Sequence, residues 1–98
     1  MVVSEITAQN VANYLKLNYE SLTGDELAEL SAFLDTAKAF LVSYTGLDLT
    51  TIDSFSEFVV AVYVLIQDMY DNRSMYVDKN NLNKVVEIIL NMHSSNLL

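Results

Sequence analysis

The chain has 98 residues, with no cysteine, no proline and two glycines. That composition excludes disulfide frameworks, cysteine-based zinc sites and a cysteine nucleophile, and it leaves too few turn residues for a multi-strand β fold. Thirteen acidic side chains against five basic ones give a net charge of −8, and the basic residues Lys16, Lys38, Arg73, Lys79 and Lys84 are scattered, so no patch is suited to reading nucleic acid through its phosphates.

One all-α domain over residues 1–98 is the expectation. The first helix starts at Thr7 as N-cap and carries Val11, Tyr14 and Leu15 on one face. Thr23-Gly24-Asp25-Glu26 is a capping box, and its acids sit on the positive end of a helix dipole. From there Leu27, Leu30, Leu34, Ala37, Leu41 and Tyr44 recur three and four apart, with Phe33 and Phe40 beside them, until Gly46 ends the helix. Leu47 to Ile52 reads as a connector. Ser54-Phe55-Ser56-Glu57 is a second box and opens a helix running to Asn72 or Arg73.

That helix contains Phe58 to Ile66, nine consecutive apolar residues. The run is too short to span a membrane, which takes about 20 residues, so it predicts a core helix covered on every side, either as the central helix of its own small bundle or in part by a neighbouring subunit. Asp78, Asn80 and Asn81 offer caps for a last helix, in which Leu82, Val85, Val86, Ile89 and Met92 form one face and Ile88 and Leu90 widen it. The expected fold is therefore a small four-helix domain: two longer antiparallel core helices, shorter N- and C-terminal helices, and a flexible tail over about 93–98. An apolar fraction of 52% and a mean hydropathy of +0.27 are high for so acidic a small chain, which implies that some apolar surface meets another chain. The N-terminus resembles no secretory signal, so synthesis in a cytoplasm is expected.

Chemistry-bearing patterns are sparse. Gly24 and Gly46 are isolated, so no phosphate-binding loop is formed, and His93 has no second histidine or cysteine with which to hold a metal. Asp68 and Asp71 are three apart near a helix end beside Arg73, where solvation or an Arg contact accounts for them, and the Asp25, Glu26 and Glu29 cluster reads as a solvated first turn. No catalytic, cofactor-binding or metal-ligating residue is expected, and the chain does not read as an enzyme.

Two segments carry a resemblance. Ala37-Lys38-Ala39-Phe40-Leu41-Val42-Ser43-Tyr44-Thr45-Gly46 resembles the end of the long helix in the small head-tail connector proteins of tailed bacteriophages, and Leu65 to Ser74, with Tyr70-Asp71-Asn72-Arg73-Ser74 at its centre, resembles their Tyr-x-Asn-Arg segment. The order matches over residues 6–92, from the leading Ile6-Thr7 to the last apolar helix. The chain departs after Gly46, with Leu47-Asp48 where the family often has a basic residue.

The resemblance implies a structural virion protein, made in the bacterial cytoplasm and located at the head-tail junction. It implies a ring of about a dozen copies below the portal protein, in contact with a tail completion or stopper protein. Genomic DNA would pass through without sequence-specific binding, helped by the repulsion between an acidic bore and phosphate charge. No membrane partner is implied. Tyr70, Asp71, Asn72 and Arg73, with Phe58 and Tyr63 of the apolar helix, are the candidate interface residues. The alternatives are a small acidic helical regulator that mimics DNA charge to inhibit a host protein, and an adaptor subunit of the toxin-antitoxin kind.

Overall fold

The computed structural model describes residues 1–93. Every regular element among them is helical. A single 3-10 turn at Val3–Glu5 precedes helix α1 (Ala8–Tyr14), and α1, α2 (Gly24–Thr45), α3 (Leu49–Ile52), α4 (Glu57–Asn72) and α5 (Lys84–His93) are joined by connections that include 3-10 turns at Tyr19–Ser21 and Lys79–Asn81. The start of α2 meets the end of α4 through Phe33 and Tyr70, and the end of α2 meets the end of α5 through Tyr44 and Asn91. His93 in turn brings the end of α5 to the start of α4, so α2 and α4 run antiparallel and α5 packs across them.

The capping box at Thr23 forms in both directions. Glu26 N–H donates to Thr23 Oγ1 at 3.2 Å and Thr23 N–H donates to Glu26 Oε1 at 3.0 Å. The α2 stripe then buries Leu30, Phe33, Leu34, Ala37 and Leu41 against Phe58, Val62, Leu65, Ile66 and Met69 of α4. Val11 and Ala12 of α1 and Val86 and Leu90 of α5 close the core. Removing these side chains from water supplies most of the stability, at about 25 cal/mol per Å² of apolar surface.

Four expectations are corrected. The 47–52 connector contains a fifth helix, α3, whose start is capped by Asp48 accepting from Thr51 N–H at 2.8 Å. The second capping box does not form. Ser56 is itself in helical conformation and makes no side-chain cap, because the carbonyls of Phe55 and Ser56 already take the N–H groups of Phe58 and Val59, while the Ser54 hydroxyl donates to the Thr51 carbonyl. Asp78 caps the 3-10 turn and Asn83 starts α5, accepting from Val85 N–H at 2.9 Å.

The α5 face is also rotated from the expected one. Val86 and Leu90 are buried and Ile89 is half-buried, but Val85, Ile88 and Met92 point outward. As for the predicted tail, His93 belongs to α5, and 94–98 lie outside the described residues.

Candidate functional site

The Tyr70–Arg73 segment lies at the corner where α4 ends beside the first turns of α2. Helix α4 closes through paired backbone bonds, from Ser74 N–H to the Met69 carbonyl at 3.1 Å and from Arg73 N–H to the Tyr70 carbonyl at 3.3 Å. Arg73 occupies the left-handed position of that closure, with φ 51°, where glycine is the unstrained residue. Its side chain does not return to the last carbonyls of its own helix. It crosses to α2, placing Nη1 2.9 Å from Glu29 Oε1, and its guanidinium carbon sits 4.4 Å above the Tyr70 ring.

Tyr70 meets Phe33 edge-on at 6.4 Å between centroids. A positive charge thus bridges two helices over an aromatic floor. Nearby, Glu26 is held below its ordinary pKa mainly by the Thr23 N–H, then by the Thr23 hydroxyl, with the Arg73 charge as a smaller cause.

The other candidate residues divide between surface and core. Asp71 is exposed and accepts from Gln67 Nε2 at 2.8 Å, so its carboxylate is engaged along its own helix. Asn72 donates from Nδ2 to the Asp68 carbonyl at 2.9 Å. Tyr63 is half-buried and stacks on Tyr14 at 4.7 Å with 12° between the planes. Phe58, by contrast, is wholly enclosed by its own chain, against Phe55 and His93, and presents no surface to a neighbour.

The Ala37–Gly46 segment ends at the opposite end of the α2–α4 pair from Arg73, so the two motif segments do not form one site. Its last residues terminate a helix. Tyr44 donates from its hydroxyl to Asn91 Oδ1 at 3.0 Å. Thr45, fully buried, donates to the Leu41 carbonyl at 2.7 Å and accepts from Leu47 N–H at 3.1 Å. Gly46 has φ 73°, the left-handed conformation predicted for it.

Two features escaped the sequence reading. One is His93, whose ring stacks on Phe55 at 4.0 Å between centroids. Its Nε2 approaches Glu57 Oε1 to 3.0 Å without hydrogen-bond alignment. The second is an exposed apolar stripe on α5: Val85, Ile88 and Met92 are 51%, 52% and 65% exposed at spacings of three and four. Its signal was present in the α5 sequence, where apolar residues occupy more of the circumference than one buried face needs. No helix among the described residues is long and apolar enough to cross a membrane. No protein-family model, curated protein or solved structure matches this chain.

Proposed function

We propose that the protein is a structural component of a tailed-phage head-tail junction, a connector whose copies pack side by side in a ring below the portal and leave a passage for DNA. The observation that carries this reading is the resemblance of two ordered segments, 37–46 and 65–74, whose residues act here as the terminators of α2 and α4. A fold built on the same two helix ends accounts for the motifs without invoking a catalytic role. Further support comes from the exposed Val85, Ile88 and Met92 stripe, which suits lateral contact between copies, and from the net charge of −8, which suits a surface that phosphate-bearing DNA slides past. Mass spectrometry of purified virions of the phage that encodes this chain tests the reading. The protein is expected among the virion components, and its absence would contradict the proposal.

The acidic-regulator alternative draws less support from the same side chains. Charge mimicry needs carboxylates free on a continuous face. Here the Glu26 carboxylate accepts from Thr23 N–H in the capping box, Asp48 and Asp78 cap helix or turn starts, and Glu29, Asp53 and Asp71 accept from Arg73, Ser4 and Gln67.

A further inference from the structure

The side of α2 turned away from the core carries a groove of about 460 Å³. Asp35, Lys38, Ala39, Val42 and Ser43 line it together with Leu49 of α3. On a helix these α2 positions form two neighbouring rows, 35-39-43 and 38-42, each stepping by four residues. Ala39 and Ser43 are small, which leaves space between the rows, and the exposed Val42 and Leu49 give that space an apolar wall. The Asp35 carboxylate is exposed and makes no hydrogen bond or ion pair among the described residues.

The same chain carries a ridge of the same pitch. On the outward side of α5, Lys84, Ile88 and Met92 step by four, with Val85 beside them. Lys84 is exposed and approaches Glu87 only to 3.9 Å, too far for a hydrogen bond. Laid in the same direction, ridge and groove keep one register over about 12 Å of helix axis. Lys84 then falls beside Asp35, Ile88 beside Ala39 and Met92 beside Ser43. Opposite charges meet at the first position, and a large apolar side chain meets a small one at each of the next two. The reverse direction would set Met92 against the Asp35 carboxylate, and two α5 ridges laid together would set large side chains against large ones.

We infer that the α5 ridge of one copy seats in the α2 groove of the next, an interface between unlike surfaces of identical chains. Rows that step by four interdigitate when two helices cross at about −50°, the commonest packing class. Within one molecule the two surfaces lie apart. The groove is on the side of α2 opposite the buried Leu34, Ala37 and Leu41, whereas α5 meets α2 where Asn91 accepts from Tyr44. Contact between unlike surfaces passes from copy to copy until it closes as a ring or runs on as a filament. The inference rests on the ring reading for that closure and names the second face a ring needs.

Because the chain has no cysteine, crosslinking reads the contact. Full-length Ser43→Cys and Val85→Cys chains, both substituted at exposed positions, are mixed in equal amounts with bismaleimidoethane and the products identified by mass spectrometry. Links from 43 to 85 are expected well beyond the excess that random pairing gives, and a chain with both substitutions is expected to yield a ladder of dimers, trimers and higher species. Asp35→Lys in the groove chain is expected to lower the 43–85 yield about fivefold, as for an exposed ion pair of about 1 kcal/mol. Lys84→Glu added to the ridge chain is expected to restore it. Three results would each overturn the inference: a predominance of 85–85 links, which places the ridge on itself; 43–85 links no more frequent than those between Val85→Cys and an Asp25→Cys control; or no restoration by the reversed charge pair. Virion mass spectrometry judges the ring reading separately. Links from 43 to 85 in a protein absent from virions would keep the interface and discard the connector, and a virion ring whose copies do not link 43 to 85 would do the reverse.

Discussion

Arg73 allows backbone strain and side-chain attraction to be separated within one residue. Holding a residue with a Cβ in the left-handed conformation costs about 1–2 kcal/mol, and glycine at the same place avoids that cost but orders a more flexible unfolded chain, an opposing effect of about 0.4–1 kcal/mol. The Glu29 ion pair is 62% and 38% exposed at its two side chains, which limits it to about 0.2–1 kcal/mol. The guanidinium over Tyr70 adds about 0.5–1 kcal/mol.

Arg73→Ala keeps the strain and loses both contacts, so it is expected to destabilise the fold by about 0.7–2 kcal/mol. Arg73→Gly loses the same contacts but relieves the strain, and is expected to be more stable than Arg73→Ala by about 1 kcal/mol, or about 4–8 °C in Tm. Urea denaturation followed by far-UV circular dichroism reads both values. An alanine variant as stable as the glycine variant would refute the strain argument, and an alanine variant as stable as the parent would refute the two contacts.

Other outcomes follow from single groups. Leu34→Ala, in the buried stripe of α2, is expected to cost about 2–5 kcal/mol, and a measured loss under about 0.5 kcal/mol would contradict its place in the core. Glu26 and Asp48 have lowered pKa values from their cap hydrogen bonds, so their contribution is present above the ordinary carboxylate range and lost as pH falls through the lowered values. A Glu26→Gln and Asp48→Asn double variant is expected to lose less stability than the parent between about pH 5 and about pH 2, a comparison made by urea melts across that range. Asp68 has the opposite sign, since its raised pKa means that ionisation costs stability as pH rises. Asp68→Asn should match or exceed the parent in urea melts at about pH 7 and lose any advantage below about pH 4. Replacing Val85 and Ile88 together by serine is expected to leave the thermal midpoint within about 2 °C and to reduce incorporation into particles, measured by quantitative mass spectrometry of virions.

Helix existence was legible wherever the chain states it twice. The Thr23–Glu26 box and the three-four repeat from Leu27 to Tyr44 both specify α2, and Gly46 specifies its end. The 49–52 helix was missed because a single turn leaves no periodicity to count, although Asp48 followed by Thr51 is a cap pattern. The Ser54–Glu57 box failed because side-chain capping competes with backbone carbonyls, and here the preceding turn supplied them first. The orientation of α5 was not legible, since Val85, Val86, Ile88, Ile89 and Leu90 are interchangeable as hydrophobes and only packing against α4 selects Val86 and Leu90. At the candidate interface, the Arg73 charge was visible in sequence. Its Glu29 partner, 44 residues away, was not, because long-range pairing is set by how helices cross.

Image reconstruction of the virion vertex tests the central claim most directly. The account predicts a ring of copies of this chain between portal and tail, with Val85, Ile88 and Met92 at the boundary between neighbouring copies and the acidic surface towards the DNA. A vertex whose density between portal and tail is filled entirely by other proteins would contradict it.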